Sequence, residues 1–465
     1  MSDPLPPVLD HLAGDRDGAV ARWFEWLRIP SVSAQPAHAG DCRRAAEWAA
    51  GQLQGMGFDV ALRETPGHPV VLAHHPGPVG RGDGPHLLYY GHYDVQPAEP
   101  LDLWTSPPFE PQLVEHPLGL RAVARGAVDD KGQVMLWLEA LRAWVAVHGA
   151  PPVAITALIE GEEEVGSPNL DALLAPSRDA LAAASAVVIS DTNMWDRATP
   201  AITTRLRGLA YTELRLRAAS RDLHSGLYGG SALNAANLLA RILGGLHDDE
   251  GRVAVPGFYE GAAEPGAAER ESWAGLGFDE AAVLGGVGLA QPVGERDRSA
   301  LERLWGRPTA DVNGLWAGYA GPGAKTVIPG EAGAKVSFRL VPGQDPARVV
   351  TAWRAHVEGQ LPPDARAEIA LFGEAPGIAI PTDLPLVRAA QAALLAEFGR
   401  PAVLAGSGGS IPVVESLRRL LGLDTLLMGF GLDDDQVHSP NEKFDLHCFR
   451  AGTRAHARLL GQLAG

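Results

Sequence analysis

Four short apolar runs limit the architectures open to this chain. They are HLLYYG at 86–91, PVAITALIEG at 152–161, ASAVVISD at 184–191 and DTLLMGFG at 424–431. Short apolar runs without polar alternation are typical of central strands that are covered on both faces. Between the first two lies KGQVMLWLEALRAWVAVHG, whose pattern predicts a helix. Strand, helix and strand in this order predict an α/β domain with a central mixed sheet.

The middle of the chain follows a different pattern. The expected elements are a strand at 211–219, a helix at 232–246, strands in AKTVIP and at 334–342, a helix from Pro346 and a strand at 366–373. This β-α-β-β-α-β order is that of a ferredoxin-like α+β domain. We therefore expect residues 208–376 to form an inserted domain that splits an α/β domain made of residues 1–207 and 377–465. The stretch 247–318 is too long for a plain loop and receives no assignment.

Charge and composition exclude several classes of partner and compartment. The formal net charge of −17 leaves no basic surplus for nucleic acid or for an anionic membrane. The two cysteines, Cys42 and Cys448, have neither disulfide-framework nor metal-ligand spacing, which favours a reducing cytoplasm. The first residues lack the pattern of a secretory signal, and an apolar stretch long enough to span a membrane is not found. A cytoplasmic location is the expectation.

Imidazoles and carboxylates lie at the ends of the predicted elements, after strands or, for Asp129 and Asp130, just before the predicted helix. In chain order they are His92, Asp94, Asp129, Asp130, Glu162, Glu163, Glu164, Asp191 and His438. Taken singly, each has an ordinary explanation as a helix cap, a solvated acidic residue or a loop histidine. Ligands of open α/β sheets bind beyond the carboxyl ends of the strands, where all of these groups would converge. Divalent cations would relieve the repulsion between the carboxylates, and a nitrogen and oxygen donor set without thiolate suits zinc, manganese or cobalt.

The strings that carry these groups resemble a known family. GHYDVQP, RGAVDDKG, EGEEEVGS, ISD and HSPNEK occur in the order found in M20 metallopeptidases, and they are most similar to the cytosolic non-specific dipeptidase and carnosinase branch. RDLHSGLYGG at 221–230 and the segment 321–342 resemble the inserted lid and dimerisation domain of that family. The resemblance covers nearly the whole chain and implies a metal-dependent dipeptidase.

The resemblance also implies a centre of two metal ions, with zinc expected first and manganese or cobalt as alternatives. The implied ligands are His92 and Asp191 for one ion, Glu164 and His438 for the other, and Asp129 for both. A cis peptide bond after the bridging aspartate is implied as well.

The remaining groups at the strand ends receive supporting roles. Asp94 would hold the imidazole of His92 from behind and raise its basicity. Glu163 would be the general base that takes a proton from the hydroxide-forming water between the two ions and delivers it to the leaving amine. We assign Glu162 a structural or solvated role.

The family likeness assigns substrate contacts to the inserted domain. His224 of DLHSG would reach the active site of a partner subunit, which implies a homodimer. Arg339 would clamp the C-terminal carboxylate of the substrate, or would be an ordinary exposed arginine. Thr326 and Ser410 are expected as further substrate contacts, with plain turn chemistry as the alternative for both.

One departure from the family pattern leaves the substrate preference open. Close dipeptidase relatives read REGGSIP, whereas this chain has Gly406 and Ser407 in place of the arginine and the glutamate. An N-acyl-amino-acid deacylase of the same fold is an alternative function, because the metal ligands do not discriminate it from a dipeptidase, although HSPNEK and RDLHSGLYGG favour the dipeptidase. A non-catalytic binding protein is a second alternative, which loss of a ligand or of Glu163 would mark, and the sequence retains all of them.

Overall fold

The computed structural model describes residues 3–78, 84–181, 183–409 and 411–464. Within these residues the α-helices are α1 (Leu5–Gly14), α2 (Arg16–Leu27), α3 (Ala39–Gly55), α4 (Lys131–His148), α5 (Leu170–Leu174), α6 (Arg178–Leu181), α7 (Ser225–Tyr228), α8 (Ala235–Gly244), α9 (Ala267–Ala274), α10 (Glu280–Gly286), α11 (Pro346–Glu358), α12 (Pro385–Phe398), α13 (Pro412–Leu421) and α14 (Leu446–Ala464). The strands are β1 (Asp59–Arg63), β2 (Val70–His75), β3 (His86–His92), β4 (Gln112–Val114), β5 (Arg121–Val123), β6 (Ala154–Glu160), β7 (Ala186–Ile189), β8 (Ala201–Leu206), β9 (Gly208–Arg217), β10 (Leu223–His224), β11 (Thr309–Ala317), β12 (Val327–Ile328), β13 (Glu331–Leu340), β14 (Arg366–Ala375), β15 (Ile378–Ala379), β16 (Val403–Ser407), β17 (Thr425–Leu427) and β18 (Lys443–Asp445).

The chain divides into two compact units. The first comprises Met1–Thr204, Ile380–Leu404 and Pro412–Gly465, and the second comprises Arg205–Ala379 and Ala405–Ile411. The sequence-based limits after residues 207 and 376 lie close to two of these breaks. Residues 405–411 were expected in the first domain but group with the second unit, where the backbone N–H of Arg207 donates to the carbonyl of Ser407.

The first unit is built on the expected mixed sheet. Its strands follow the order β1, β2, β6, β3, β7, β17 and β8. The four apolar runs supply the central strands β6, β3, β7 and β17, which pair in parallel. Because these strands run in one direction, their carboxyl ends lie at one edge of the sheet. The two strands on the far side of β6 and the strand after β17 pair antiparallel, so the sheet is mixed.

Close packing against β3 explains the glycine that precedes His92, the last residue of the strand. A Cβ placed on Gly91 would lie 2.5 Å from Cγ2 of Val134 and 3.1 Å from Oδ2 of Asp130. Val134 lies in the first turn of α4 and Asp130 directly precedes the helix, whose first residues are buried. The missing side chain therefore lets the helix approach the strand at the point where His92 begins the candidate site.

The second unit has the ferredoxin-like order. Strands β11, β13, β9 and β14 form an antiparallel sheet, and α8 and α11 contribute to the core beneath it. Along the chain the elements run β9, α8, β11, β13, α11 and β14, which is the β-α-β-β-α-β arrangement. The expected fold class, a split α/β domain with an inserted ferredoxin-like α+β domain, is confirmed.

One strand of the inserted domain was assigned to the wrong segment. AKTVIP provides only the two-residue strand β12, which pairs with β10. The second long strand is instead β11, within the stretch that received no assignment. Most of its residues are exposed, and its pairing with β13 is interrupted between Val312 and Gly314. A strand that buries little on either face needs no apolar alternation, so β11 lacks the pattern by which a strand is recognised.

Two expectations from composition can be compared with the structure. Cys42 and Cys448 are buried free thiols, as expected for a chain without disulfides. In the part of the chain that the structure describes, none of the helices has the length and apolar character needed to cross a bilayer. The cytoplasmic location stays a prediction.

Candidate metal centre

His92 lies at the carboxyl end of β3 and is completely buried. Its Nδ1 lies 3.1 Å from the carbonyl oxygen of Asp94 and 3.3 Å from Oδ1 of the same residue. Its Nε2 is buried and makes no hydrogen bond with the described residues. Instead, this atom lies 3.3 Å from Oδ1 of Asp129 and 3.8 Å from Oδ2 of Asp191. Asp94 therefore fixes the orientation of the imidazole through Nδ1, and Nε2 faces the carboxylates of Asp129 and Asp191 without a hydrogen bond.

Asp94 does more than the sequence suggested. Besides facing His92, its carboxylate accepts hydrogen bonds from the backbone N–H groups of Glu163 and Glu164, at 3.2 and 3.1 Å. The hydroxyl of Ser33 donates to it at 2.7 Å. One buried carboxylate thus fixes both the imidazole at the end of β3 and the turn that follows β6.

Asp129 lies between the two histidines. Its Oδ1 faces Nε2 of His92, and its Oδ2 lies 3.0 Å from Nε2 of His438. The peptide bond to Asp130 is cis, as the resemblance implied. Asp130 itself points the other way, and its Oδ2 accepts the backbone N–H of His92 at 3.1 Å. With one oxygen toward each imidazole, Asp129 has the arrangement of a bridging ligand.

The three consecutive glutamates have three different surroundings. Glu164 is directed into the site, and its Oε2 lies 3.2 Å from Nε2 of His438. The carboxylate of Glu163 makes no hydrogen bond or ion pair among the described residues. Glu162 is buried, and both oxygens of its carboxylate accept hydrogen bonds from the amide of Asn169, at 3.0 and 2.9 Å. Of the two roles allowed for Glu162, the structure supports the structural one and excludes the solvated one.

Two overlapping groups of side chains could hold cations. One consists of His92, Asp129 and Asp191, and the other of Asp129, Glu164 and His438, with the donor atoms of each group within 4.8 Å of one another. These are the five ligands that the resemblance implied, divided between two ions in the implied way. Their roles as ligands remain predictions.

The electrostatics of the cluster favour cations as well. Burial raises the pKa of Asp191 to about 7, and the charge of Asp129 contributes to the same shift. A hydrogen bond with Asp129 and, to a smaller extent, one with Glu164 raise the pKa of His438 to about 10. Burial also raises the pKa of Glu163 well above its usual value. Asp191 and Glu164 therefore tend to hold protons, whereas, despite burial, hydrogen bonds with the two histidines lower the pKa of Asp129. Divalent cations would displace the protons of the first two carboxylates and of His438 and stabilise the forms that ligation requires. The donor set therefore fits two divalent ions.

Glu442 is a supporting residue that the sequence reasoning missed. Its fully buried carboxylate accepts hydrogen bonds from the backbone N–H groups of Gly126, Val128 and Asp129, at 2.9 to 3.1 Å. The buried guanidinium of Arg125 donates to it at 2.8 Å. The string HSPNEK contained Glu442, but a single glutamate in a polar loop does not by itself reveal that it organises a distant segment.

The expected substrate contacts lie in the second unit. His224 is exposed, and its Nδ1 accepts the backbone N–H of Gly226. Thr326 is exposed and Arg339 is half-buried on β13. Ser410 lies outside the described residues.

Arg207 is a second cation beside Arg339 that the sequence reasoning did not identify. Arg339 pairs in register with Leu209, which places it on the same face of the sheet as Arg207, two residues earlier. Burial, followed by the charge of Arg339, lowers the pKa of Arg207 to about 10. Among the described residues neither guanidinium forms an ion pair with a carboxylate. Two adjacent unpaired guanidiniums form a surface suited to an anion.

The departure at Gly406 has a steric reason. A Cβ placed on Gly406 would collide with the Cβ of Trp305. A long side chain at this position would require Trp305 to move. The arginine expected from the family pattern would therefore not fit the present packing around Trp305.

Comparisons with known proteins extend the likeness over the whole chain. The profile described as peptidase family M20/M25/M40 matches residues 88–462. The Beta-Ala-His dipeptidase of Homo sapiens is 29% identical over 489 residues, which cover 100% of this chain and 95% of that protein. The Cys-Gly metallodipeptidase DUG1 of Candida albicans is 30% identical over 473 residues, which cover 97% of this chain and 96% of that protein. Among solved structures, that of the di-peptidase Dug1p from Saccharomyces cerevisiae superposes with a TM-score of 0.82 at 27% identity, covering 100% of this chain and 99% of that one.

Proposed function

This chain belongs to peptidase family M20/M25/M40, and we propose that it hydrolyses the peptide bond of dipeptides with two divalent cations bound at the edge of its mixed sheet. The observation that carries the proposal is the pair of ligand groups that share Asp129. The similar proteins named above are dipeptidases, which supports the choice of substrate class. Zinc is the first candidate for both ions, with manganese or cobalt as alternatives.

The cations would polarise the substrate carbonyl and the attacking water, and the side chains would hold the reacting groups in position and transfer the proton. Two divalent ions in such a centre polarise the substrate carbonyl and lower the pKa of the attacking water. Glu163 accepts a proton from that water on its free carboxylate and returns it to the nitrogen of the leaving amine. Burial raises the pKa of Glu163 above its usual value, the direction in which a carboxylate becomes a stronger base. Asp94 keeps Glu163 and Glu164 in place through their backbone N–H groups.

We further propose that the second unit recognises the free carboxylate of the dipeptide. Arg339 would bind this carboxylate in a bidentate fork, and the neighbouring guanidinium of Arg207 would add to the positive potential there. Thr326 and Ser410 are proposed as further contacts. His224 is proposed to act on the site of a partner subunit in a homodimer.

Removal of the metal tests the proposed function. After dialysis against a chelator, we expect hydrolysis of dipeptides to fall to background and to return when zinc, manganese or cobalt is added. N-acetyl amino acids and a tripeptide should be turned over much more slowly than dipeptides under the same conditions. Activity confined to N-acyl amino acids would establish the deacylase alternative, and full activity after chelation would exclude the metal mechanism.

A mixing experiment tests the role of His224. His224→Ala and Glu163→Gln variants should each be nearly inactive alone. If His224 serves the partner's site, a heterodimer contains one intact site, and random reassortment of subunits should restore about a quarter of the activity of the unmodified enzyme. The dimer itself is checked by light scattering. Activity no higher than the sum of the two variants, in a confirmed heterodimer, would show that His224 does not act between subunits.

A further inference from the structure

Gln96 contacts the candidate metal centre without belonging to either ligand group. It lies two residues after Asp94 and is half-buried. Its Nε2 donates a hydrogen bond to Oε2 of Glu164 at 2.7 Å and lies 3.4 Å from the carbonyl oxygen of the same residue. The same Oε2 is the atom that faces Nε2 of His438 at 3.2 Å. The amide is therefore attached to the oxygen of Glu164 that points into the site.

This hydrogen bond restricts what the carboxylate of Glu164 can do. A carboxylate oxygen offers two lone-pair directions, and the amide of Gln96 occupies one of those on Oε2. The other direction remains for a cation or for the imidazole of His438. Among the described residues Oε1 of Glu164 has no hydrogen-bond partner. Without the amide, the side chain of Glu164 could rotate and exchange its two oxygens. Cation binding would then have to fix the side chain and would cost conformational entropy.

The two ligand groups differ in how they are supported. In the first, His92 is fully buried and is held through its Nδ1 by Asp94. In the second, the side chain of His438 is 54% exposed, and its hydrogen-bonding contacts among the described residues are with Asp129 and Glu164. Asp94 and Glu442 support the second group through the backbone N–H groups of Glu164 and Asp129. The amide of Gln96 differs from both because it contacts the ligand carboxylate of Glu164 itself.

We propose that Gln96 is a positioning residue that orients Glu164 and thereby sets the cation affinity of the Asp129, Glu164 and His438 group, but not that of the His92, Asp129 and Asp191 group. The inference rests on the proposed two-ion function. Hydrogen bonds to metal ligands of this kind typically contribute 10- to 100-fold to metal affinity.

Titration of the metal-free protein with Co²⁺ tests the inference. The unmodified protein should bind two equivalents. Gln96→Leu, which keeps the size of the side chain but removes the N–H, should bind one equivalent with unchanged affinity and the second about 10- to 100-fold more weakly. Gln96→Glu should weaken the second equivalent further, because a carboxylate beside Glu164 repels it. At saturating Co²⁺, Gln96→Leu should regain its kcat with an unchanged KM.

A matched control and three contrary outcomes make the test decisive. Gln35→Leu removes an exposed amide whose contact with Glu99 is 3.5 Å long, and it should leave both equivalents unchanged. Two tight equivalents in both Gln96 variants would overturn the inference, as would equal weakening of the two equivalents. A raised KM at saturating Co²⁺ would instead assign Gln96 to substrate binding. If the unmodified protein binds fewer than two equivalents, it is the proposed two-ion function that fails.

Discussion

Replacement of Glu163 by glutamine is expected to lower kcat by about 10²- to 10⁴-fold, the range that general acid–base catalysis contributes. The amide has nearly the same size as the carboxylate but cannot accept the proton of the attacking water. Cation binding should remain, because the carboxylate that faces Asp129 and His438 is that of Glu164. The backbone N–H of residue 163, which Asp94 holds, is also retained. The measurements are kcat for a dipeptide and the metal content of the purified variant.

The neighbouring glutamates provide the controls for this substitution. Glu162→Gln removes charge from the same turn, but its carboxylate is engaged with Asn169 rather than with the site. It should change kcat less than about 10-fold. Glu164→Gln should lose metal together with activity. A Glu163→Gln variant with nearly normal kcat would remove Glu163 from its role, and one that lost its metal would show that it is a ligand.

The sequence predicted the groups that end strands because one geometric rule places them. Parallel strands present their carboxyl ends at one edge, so His92 and Asp191 could be assigned to that edge from the apolar runs alone. Asp129 and Glu164 were chosen from runs of adjacent acids by the family likeness, since Asp130 and Glu163 have the same charge and nearly the same position. The structure separates the two aspartates by direction: Asp129 faces both imidazoles, whereas Asp130 accepts the backbone N–H of His92.

Contacts between loops that are distant along the chain could not be identified from the sequence. The contact of Asp94 with the turn after β6 and the contact of Gln96 with Glu164 join segments about 70 positions apart along the chain. Such contacts depend on how two loops pack in the folded protein. Neither loop has a sequence pattern that predicts contact with the other. The strand β11 was missed for a related reason. Its pairing with β13 defines it as a strand, but its own residues are largely exposed and show no apolar pattern.

Removal of the Glu442 carboxylate should strongly destabilise the fold. In Glu442→Ala the buried guanidinium of Arg125 would lose its carboxylate partner, and three backbone N–H groups would lose their acceptor. Breaking a buried ion pair from one side typically costs about 3–5 kcal/mol. The loss should be measured as the free energy of unfolding of the metal-free protein in urea, which separates folding from cation binding. Affinity for Co²⁺ should fall as well, because the backbone of Asp129 is no longer held.

Glu397→Ala is the matched control for this prediction, because Glu397 also pairs with arginine, but its two partners are more exposed than Arg125. Its carboxylate accepts hydrogen bonds from Arg454 and Arg458, both at 2.8 Å, and the side chains of these arginines are 34% and 18% exposed. Solvent can reach both guanidiniums once the carboxylate is removed, so the substitution should lower the free energy of unfolding clearly less than Glu442→Ala does. Equal losses in the two variants would show that burial of the Arg125–Glu442 pair adds nothing to stability. Loss of stability in Glu442→Ala with unchanged Co²⁺ affinity would separate the fold of the 125–129 loop from the position of the bridging carboxylate.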